Sequence, residues 1–156
     1  MAAGGKSEPA TNGTQSSAKP MELAITLPNN PGTRIHLHLT VLASTIMLFV
    51  TSAGLDATPG ASPMGSFVYA MPDRYNPSQP LNTPLYTLPS SQDFATRMAK
   101  VLASRTKRPC YVGSSVNLSG AVAGGTVEEE MEAFRAIVKV VMTGVERASG
   151  AHDDDS

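Results

Sequence analysis

The segment Ile35-His36-Leu37-His38-Leu39-Thr40-Val41-Leu42, followed after Ala43-Ser44 by Thr45-Ile46-Met47-Leu48-Phe49-Val50, constrains this chain more than any other. It reads as two adjacent strands that are apolar at nearly every position. A strand buried on one face only should alternate apolar and polar side chains. The second of these does not: Ile46, Leu48 and Val50 fall on one side, Met47 and Phe49 on the other, so both sides need cover. Packed helices, a second sheet or another subunit can supply it. A chain of 156 residues has little material for the task, which favours an interaction protein over an enzyme. That length suits one domain with tails, at roughly 100–200 residues per domain.

A net charge of −1 provides no field to draw the protein onto nucleic acid or an acidic membrane. The charges are segregated, however. Between Asp73 and Arg108 stand Arg74, Arg97, Lys100, Arg105, Lys107 and Arg108 against Asp73 and Asp93, while eight acids after Cys110 face only Arg135, Lys139 and Arg147. One basic and one acidic surface are expected. Cys110 is the single cysteine, which excludes an internal disulfide and fits a reducing compartment. The opening residues lack the apolar stretch of a signal peptide, and the expected location is cytosol or nucleus. The longest apolar region, Ile35 to Val50, falls short of the roughly 20 residues that cross a bilayer.

Residues 1–20 carry almost nothing to bury and read as a disordered tail. Residues 21–150 form one α+β domain, and 151–156 an acidic tail. Leu23, Ile25 and Leu27 give a weak strand signal, closed by a turn at Pro28-Asn29-Asn30-Pro31-Gly32. Thr51 to Gly65 and Asp73 to Pro84 are Pro-rich loops around a strand from Ser66 to Met71, and Leu85 to Leu88 is a short edge strand. Ser90 with Asp93 resembles a capping box for a helix from about Ser91 to Arg105, with Arg97, Lys100 and Ser104 on its outer face. A strand through Tyr111 and Val112 and a turn at Ser119 to Gly125 follow. Thr126 with Glu129 caps the last helix, whose stripe runs Val127, Met131, Phe134, Val138, Val141, Met142 and Val145 toward a stop at Gly150. Gly144 is a point where it could bend or end. The sum is an α+β fold: a mainly antiparallel sheet of five to six strands flanked by two helices.

The search for chemistry returns little. His36 and His38, two apart on a strand, share a face, but a zinc site needs a further ligand, and half-buried sheet histidines are the simpler reading. Cys110 would need His36 or His38 as a base to act as a nucleophile; a small apolar strand residue is the commoner role. Neither a nucleophile elbow nor a phosphate loop occurs, so no catalytic residue, cofactor or metal is assigned. The basic face of the first helix has only Tyr111 nearby for base stacking. A solvated face is its plain reading, and docking onto an acidic protein surface the next.

Several strings occur in an order that is informative. His36-Leu37-His38-Leu39 and Ile46-Met47-Leu48-Phe49-Val50, then Ala70-Met71-Pro72-Asp73-Arg74-Tyr75, then Phe94 to Thr106 with Cys110-Tyr111-Val112-Gly113-Ser114 and Asn117-Leu118, and finally Glu129-Glu130-Met131-Glu132-Ala133-Phe134, resemble the proteasome assembly chaperone four family. The resemblance covers about Ile35 to Phe134. It implies a small non-enzymatic α+β protein that pairs with proteasome assembly chaperone three, the pair then binding α-subunits, notably the fifth, to promote assembly of the 20S α-ring. The N-terminal residues, the loops at Ser52 to Gly65 and Asn76 to Pro84, and a final helix running past Phe134 depart from the pattern and fit a divergent, fungal-type member. Arg74 and Tyr75 match family positions, and an arginine beside an aromatic is a reasonable interface anchor. Arg97 and Lys100 join them as candidate interface residues from the basic helix. The alternative is a small α+β adaptor or scaffold with other partners.

Overall fold

A computed structural model describes residues 18–28, 30–54, 64–116 and 127–150. Six strands and two helices follow in the order β1 (Met21–Leu27), β2 (Asn30–Val41), β3 (Ile46–Gly54), β4 (Ser66–Met71), β5 (Leu81–Tyr86), α1 (Gln92–Thr106), β6 (Cys110–Ser114) and α2 (Val127–Gly150). They build one sheet of order β1-β2-β3-β6-β4-β5. Every pairing is antiparallel except β3 with β6, which α1 makes possible by returning the chain to the same end of the sheet.

Strand alternation divides the sheet into two faces. Leu39, Leu48, Val112 and Val68 lie in register across β2, β3, β6 and β4, and all four are fully buried. Above this face, α1 sits over β4 and β6 through Phe94, Ala95, Met98, Ala99, Leu102 and Ala103, while α2 covers the β1–β2 side. Both helices thus lie on one face.

The α+β class, the strand count and the two helices agree with the sequence reading, and several details differ. Strand β2 starts at Asn30, inside the expected turn: Pro31 falls in the register shift next to Thr26 and Leu27, with a ladder partner on neither side. Strand β3 runs on to Gly54. Strand β5 begins at Leu81 and contains Pro84 opposite Val68; as an edge strand it tolerates a residue without an N–H. The buried stripe of α2 is Ala133, Ile137, Val138, Val141 and Val145, whereas Val127 and Met131 are exposed. The helix does not end at Gly144 but runs on to Gly150. A Cβ at Gly144 would stand 2.8 Å from Leu39 Cδ2, so this glycine lets α2 lie close against β2.

The expected cap of α1 is also displaced. Ser91 is the N-cap and makes no capping bond, because its hydroxyl is used elsewhere. Ser91 Oγ accepts from the Ser66 N–H at 3.1 Å and lies 2.9 Å from Ser66 Oγ. Ser66 Oγ gives its one proton to the Leu88 carbonyl and accepts the Leu88 N–H, so Ser91 must be the donor between the two hydroxyls. This satisfied network ties the start of α1 to β4. The residues expected to form the N-terminal tail up to 17, much of the first Pro-rich loop (55–63), the stretch 117–126 with Thr126, and the acidic tail lie outside the described residues.

Candidate protein-interaction face

The second face of the sheet has no described element over it. The alternation that turns Leu39, Leu48, Val112 and Val68 toward the helices turns His38, Phe49, Gly113 and Phe67 the other way, again in register across four strands. The neighbouring row is Thr40, Met47, Tyr111 and Tyr69. Met47, Phe49, Phe67, Tyr69 and Tyr111 are half-buried, with Met64 beside Gly113 on the same face and no described helix or strand layered over them. The two-sided apolar character of residues 46–50 is therefore real, and one of its two sides is open.

The rings form a continuous band. Phe49 and Phe67 stack with centroids 5.9 Å apart and planes within 7°; Phe67 meets Tyr111 at 5.8 Å and Tyr111 meets Tyr69 at 4.7 Å. His38 extends the band past Phe49, at 6.5 Å. Gly113 lies between Phe49 and Phe67 in the row, and a Cβ on it would fall 2.5 Å from Phe49 Cδ1. The absent side chain is what allows the two phenylalanines to meet across the β6 backbone. The apolar surface continues to the sheet edge, where Met71, Leu81, Leu85 and Tyr86 are exposed. Phenylalanine and tyrosine bring large area at low rotamer cost, and they are enriched where proteins meet.

Chemistry is not assembled here. His36 and His38 point to this open face and are exposed, rather than half-buried as expected, because no described helix or strand covers it. Cys110 pairs with Ile46 and Ala70 on the helix side, so the sheet separates its thiol from both imidazoles. Burial pushes that thiol up to about 11, against smaller opposing effects of the Thr106 hydroxyl and the Arg108 charge. Such a group is a poor nucleophile at neutral pH. Among the described residues, no three His, Cys, Asp or Glu side chains are grouped to hold a metal. No helix among them is long and apolar enough to cross a membrane.

The residues singled out in the sequence lie in two places. Arg74 and Tyr75 are on the exposed loop after β4, with Tyr75 99% exposed and its backbone N–H donating to Asp73 Oδ1 at 2.8 Å. Arg97 is engaged within the fold: it pairs with Asp93 at 2.9 Å and Glu130 at 2.6 Å and lies over the Phe134 ring at 5.5 Å, tying α1 to α2. Lys100 is half-exposed on α1. None of the four belongs to the aromatic band, which sequence reasoning did not assemble. Tyr111 was expected to be alone, and β4 supplies it with Phe67 and Tyr69. The alternation Phe67, Tyr69, Met71 was a signal for this, but it needed the strand order to be useful.

No curated protein matches the chain. Among solved structures, it is similar to a chain from the yeast complex described as a novel chaperone complex for 20S proteasome assembly, with a TM-score of 0.58 and 19% identity over 81% of this chain and 97% of that one. At such identity the likeness is one of fold. The model of the proteasome assembly chaperone 4 family matches residues 34–116, which span β2 to β6 and include every ring of the aromatic band. On that match over more than half of its length, the chain belongs to the proteasome assembly chaperone 4 family, an assignment that makes it an assembly chaperone and implies a role in binding rather than catalysis.

Proposed function

We propose that this chaperone pairs through the open face of its sheet with a second small chaperone of the chaperone-three type. The pair then binds proteasome α-subunits, the fifth in particular, and favours the correct order of the α-ring, in the cytosol or nucleus. The observation that carries the reading is the uncovered band His38, Phe49, Phe67, Tyr111 and Tyr69. Five aromatic side chains in two cross-strand rows facing water have an energetic reason to find a second surface, at roughly 25 cal/mol for each Å² removed from water. A sheet of the same kind on the partner would lie against it about 10 Å away. The family match and the yeast complex both point to assembly by protein contact.

The test is co-expression with the chaperone-three-type protein of the same organism, followed by light scattering after size exclusion. A one-to-one complex is expected, and Phe67→Asp should abolish it while the variant stays folded alone. If both Phe67→Asp and Met47→Asp pair as tightly as the unaltered chain, the sheet face is not the surface used. Binding of the fifth α-subunit to the purified pair, and its absence with unrelated proteins of similar charge, tests the second step.

A further inference from the structure

On the other side of the molecule, α1 and α2 are tied together beside a groove that both helices line. Arg97 with Glu130, and Phe94 edge-on to Phe134 at 5.6 Å, make the tie. Beyond it the helices enclose a groove of about 500 Å³. Its apolar lining is Val101, Phe134, Val138 and Met142. Its rim carries Arg105, Arg135 and Lys139 against a single carboxylate, Glu146.

The cations are the informative part. All three are exposed, and among the described residues none is in an ion pair. Arg135 and Lys139 stand four apart on α2, a like-charge spacing that is unfavourable in an isolated helix. Arg105 faces them across the groove. An apolar trough rimmed by three unpaired cations fits an occupant that presents an apolar stripe with carboxylates on its flanks. From Phe134 to Glu146 the groove follows α2 for about 18 Å, the length of a three-turn helix.

We propose that this groove is a docking site for an acidic amphipathic helix of a partner protein, read by apolar anchors at helical spacing and oriented by Arg105, Arg135 and Lys139. It lies across the sheet from the aromatic band, so it stays open when that face is covered. The proposal does not depend on which protein covers the band.

The probe is a fluorescent designed peptide of about 14 residues with leucines at helical spacing and glutamates beside them, titrated with the full chain in anisotropy. Controls are the same peptide with lysine for glutamate and one with the leucines scrambled. The acidic peptide should bind, lose affinity several-fold as salt rises to about 0.5 M, and lose at least tenfold on Arg135→Glu with Lys139→Glu. Both substitutions are at exposed positions, and the lysine peptide should bind that charge-reversed variant, which shows the variant to be folded and the recognition electrostatic. Phe67→Asp should change nothing. Equal binding of all three peptides, no binding of the acidic one, or indifference to the charge reversal would overturn the assignment. So would a several-fold gain in affinity on removal of residues 151–156, which would make the chain's own acidic end the occupant, or self-association of the chain that the charge reversal abolishes.

Discussion

The two faces of this sheet are both apolar, and they are built from different residues. On the helix side, Ile35, Leu37, Leu39, Ile46, Leu48, Val50, Val68 and Val112 are aliphatic and all but sealed from solvent. On the other side, Phe49, Phe67, Tyr69 and Tyr111 are aromatic, joined by Met47, His38 and Thr40, and remain half-open. Branched aliphatic chains interlock under helices at the density of a crystal. Flat rings with a polar tip tolerate water until a partner arrives. The same period of two along each strand therefore separates what folds the chain from what it offers to others.

Adjacent residues of β3 make the sharpest test of that division. Leu48→Ala empties a fully buried site and should cost about 2–5 kcal/mol in urea unfolding, a large share of the roughly 5–15 kcal/mol that holds a domain together. Phe49→Ala, one position on, should cost about 1 kcal/mol, of the order of an aromatic contact, yet weaken pairing with the second chaperone more than tenfold. Equal losses of stability would show that the open face is part of the fold's own core.

Gly113→Ala probes the outer face from beneath. The new methyl meets the Phe49 ring, a side chain with room to move, 2.5 Å away. The expected effect on stability is about 1 kcal/mol, and on pairing several-fold, because the Phe49–Phe67 stack is broken. Gly65 is the contrast. It has φ of 72° and a Cβ there would strike the Ser114 carbonyl group, whose carbon is 2.6 Å away. Backbone cannot yield as a ring does, so Gly65→Ala should destabilise by more than Gly113→Ala, in thermal melts of the isolated chain.

How much of this was visible beforehand follows the range of the interactions involved. The α2 helix, α1 and the strands from Ile35 to Val50 and Ser66 to Met71 were legible because periodicity is local. Pro84 in β5 misled, since only its place at the sheet edge makes it harmless. The capping box misled likewise: the sequence offers Ser90 with Asp93, whereas the N-cap is Ser91, whose hydroxyl is engaged with Ser66, 25 residues away. The aromatic band was missed for the same reason on a larger scale. Its rings come from β3, β4 and β6, and they meet only because β6 inserts between β3 and β4. Arg97 was chosen for its charge and its place on the outer face of a helix, and Glu130, 33 residues on, had already claimed it.

Cys110 separates the faces chemically. Its Sγ donates to the Arg108 carbonyl at 3.3 Å on the helix side, and burial holds the thiol neutral up to about 11. The thiolate is therefore scarce at pH 8. Iodoacetamide labelling of the folded chain should therefore be far slower than in urea. The sign for stability follows from the raised value: the contribution of the neutral thiol is complete below the range of an ordinary unfolded thiol and is lost as pH climbs through about 11. Alkaline unfolding should be milder in Cys110→Ala relative to its own neutral-pH stability.

The smallest expected effect lies between the helices. Arg97 is about 43% exposed on its side chain, so water screens both of its ion pairs and each contributes at most about 1 kcal/mol, with a comparable amount from the contact over Phe134. Arg97→Ala should lower stability by roughly 1 kcal/mol and leave pairing through the sheet face unchanged, since α1 lies on the opposite side. Its geometric role is larger than its energetic one. Arg97 lies over Phe134, which lines the groove, while paired with Glu130, so losing the tie should change the groove more than the fold. A titration of the acidic peptide against Arg97→Ala reads that difference: weakened peptide binding beside an intact chaperone pair means that the helical layer and the aromatic face act as separate surfaces of one sheet.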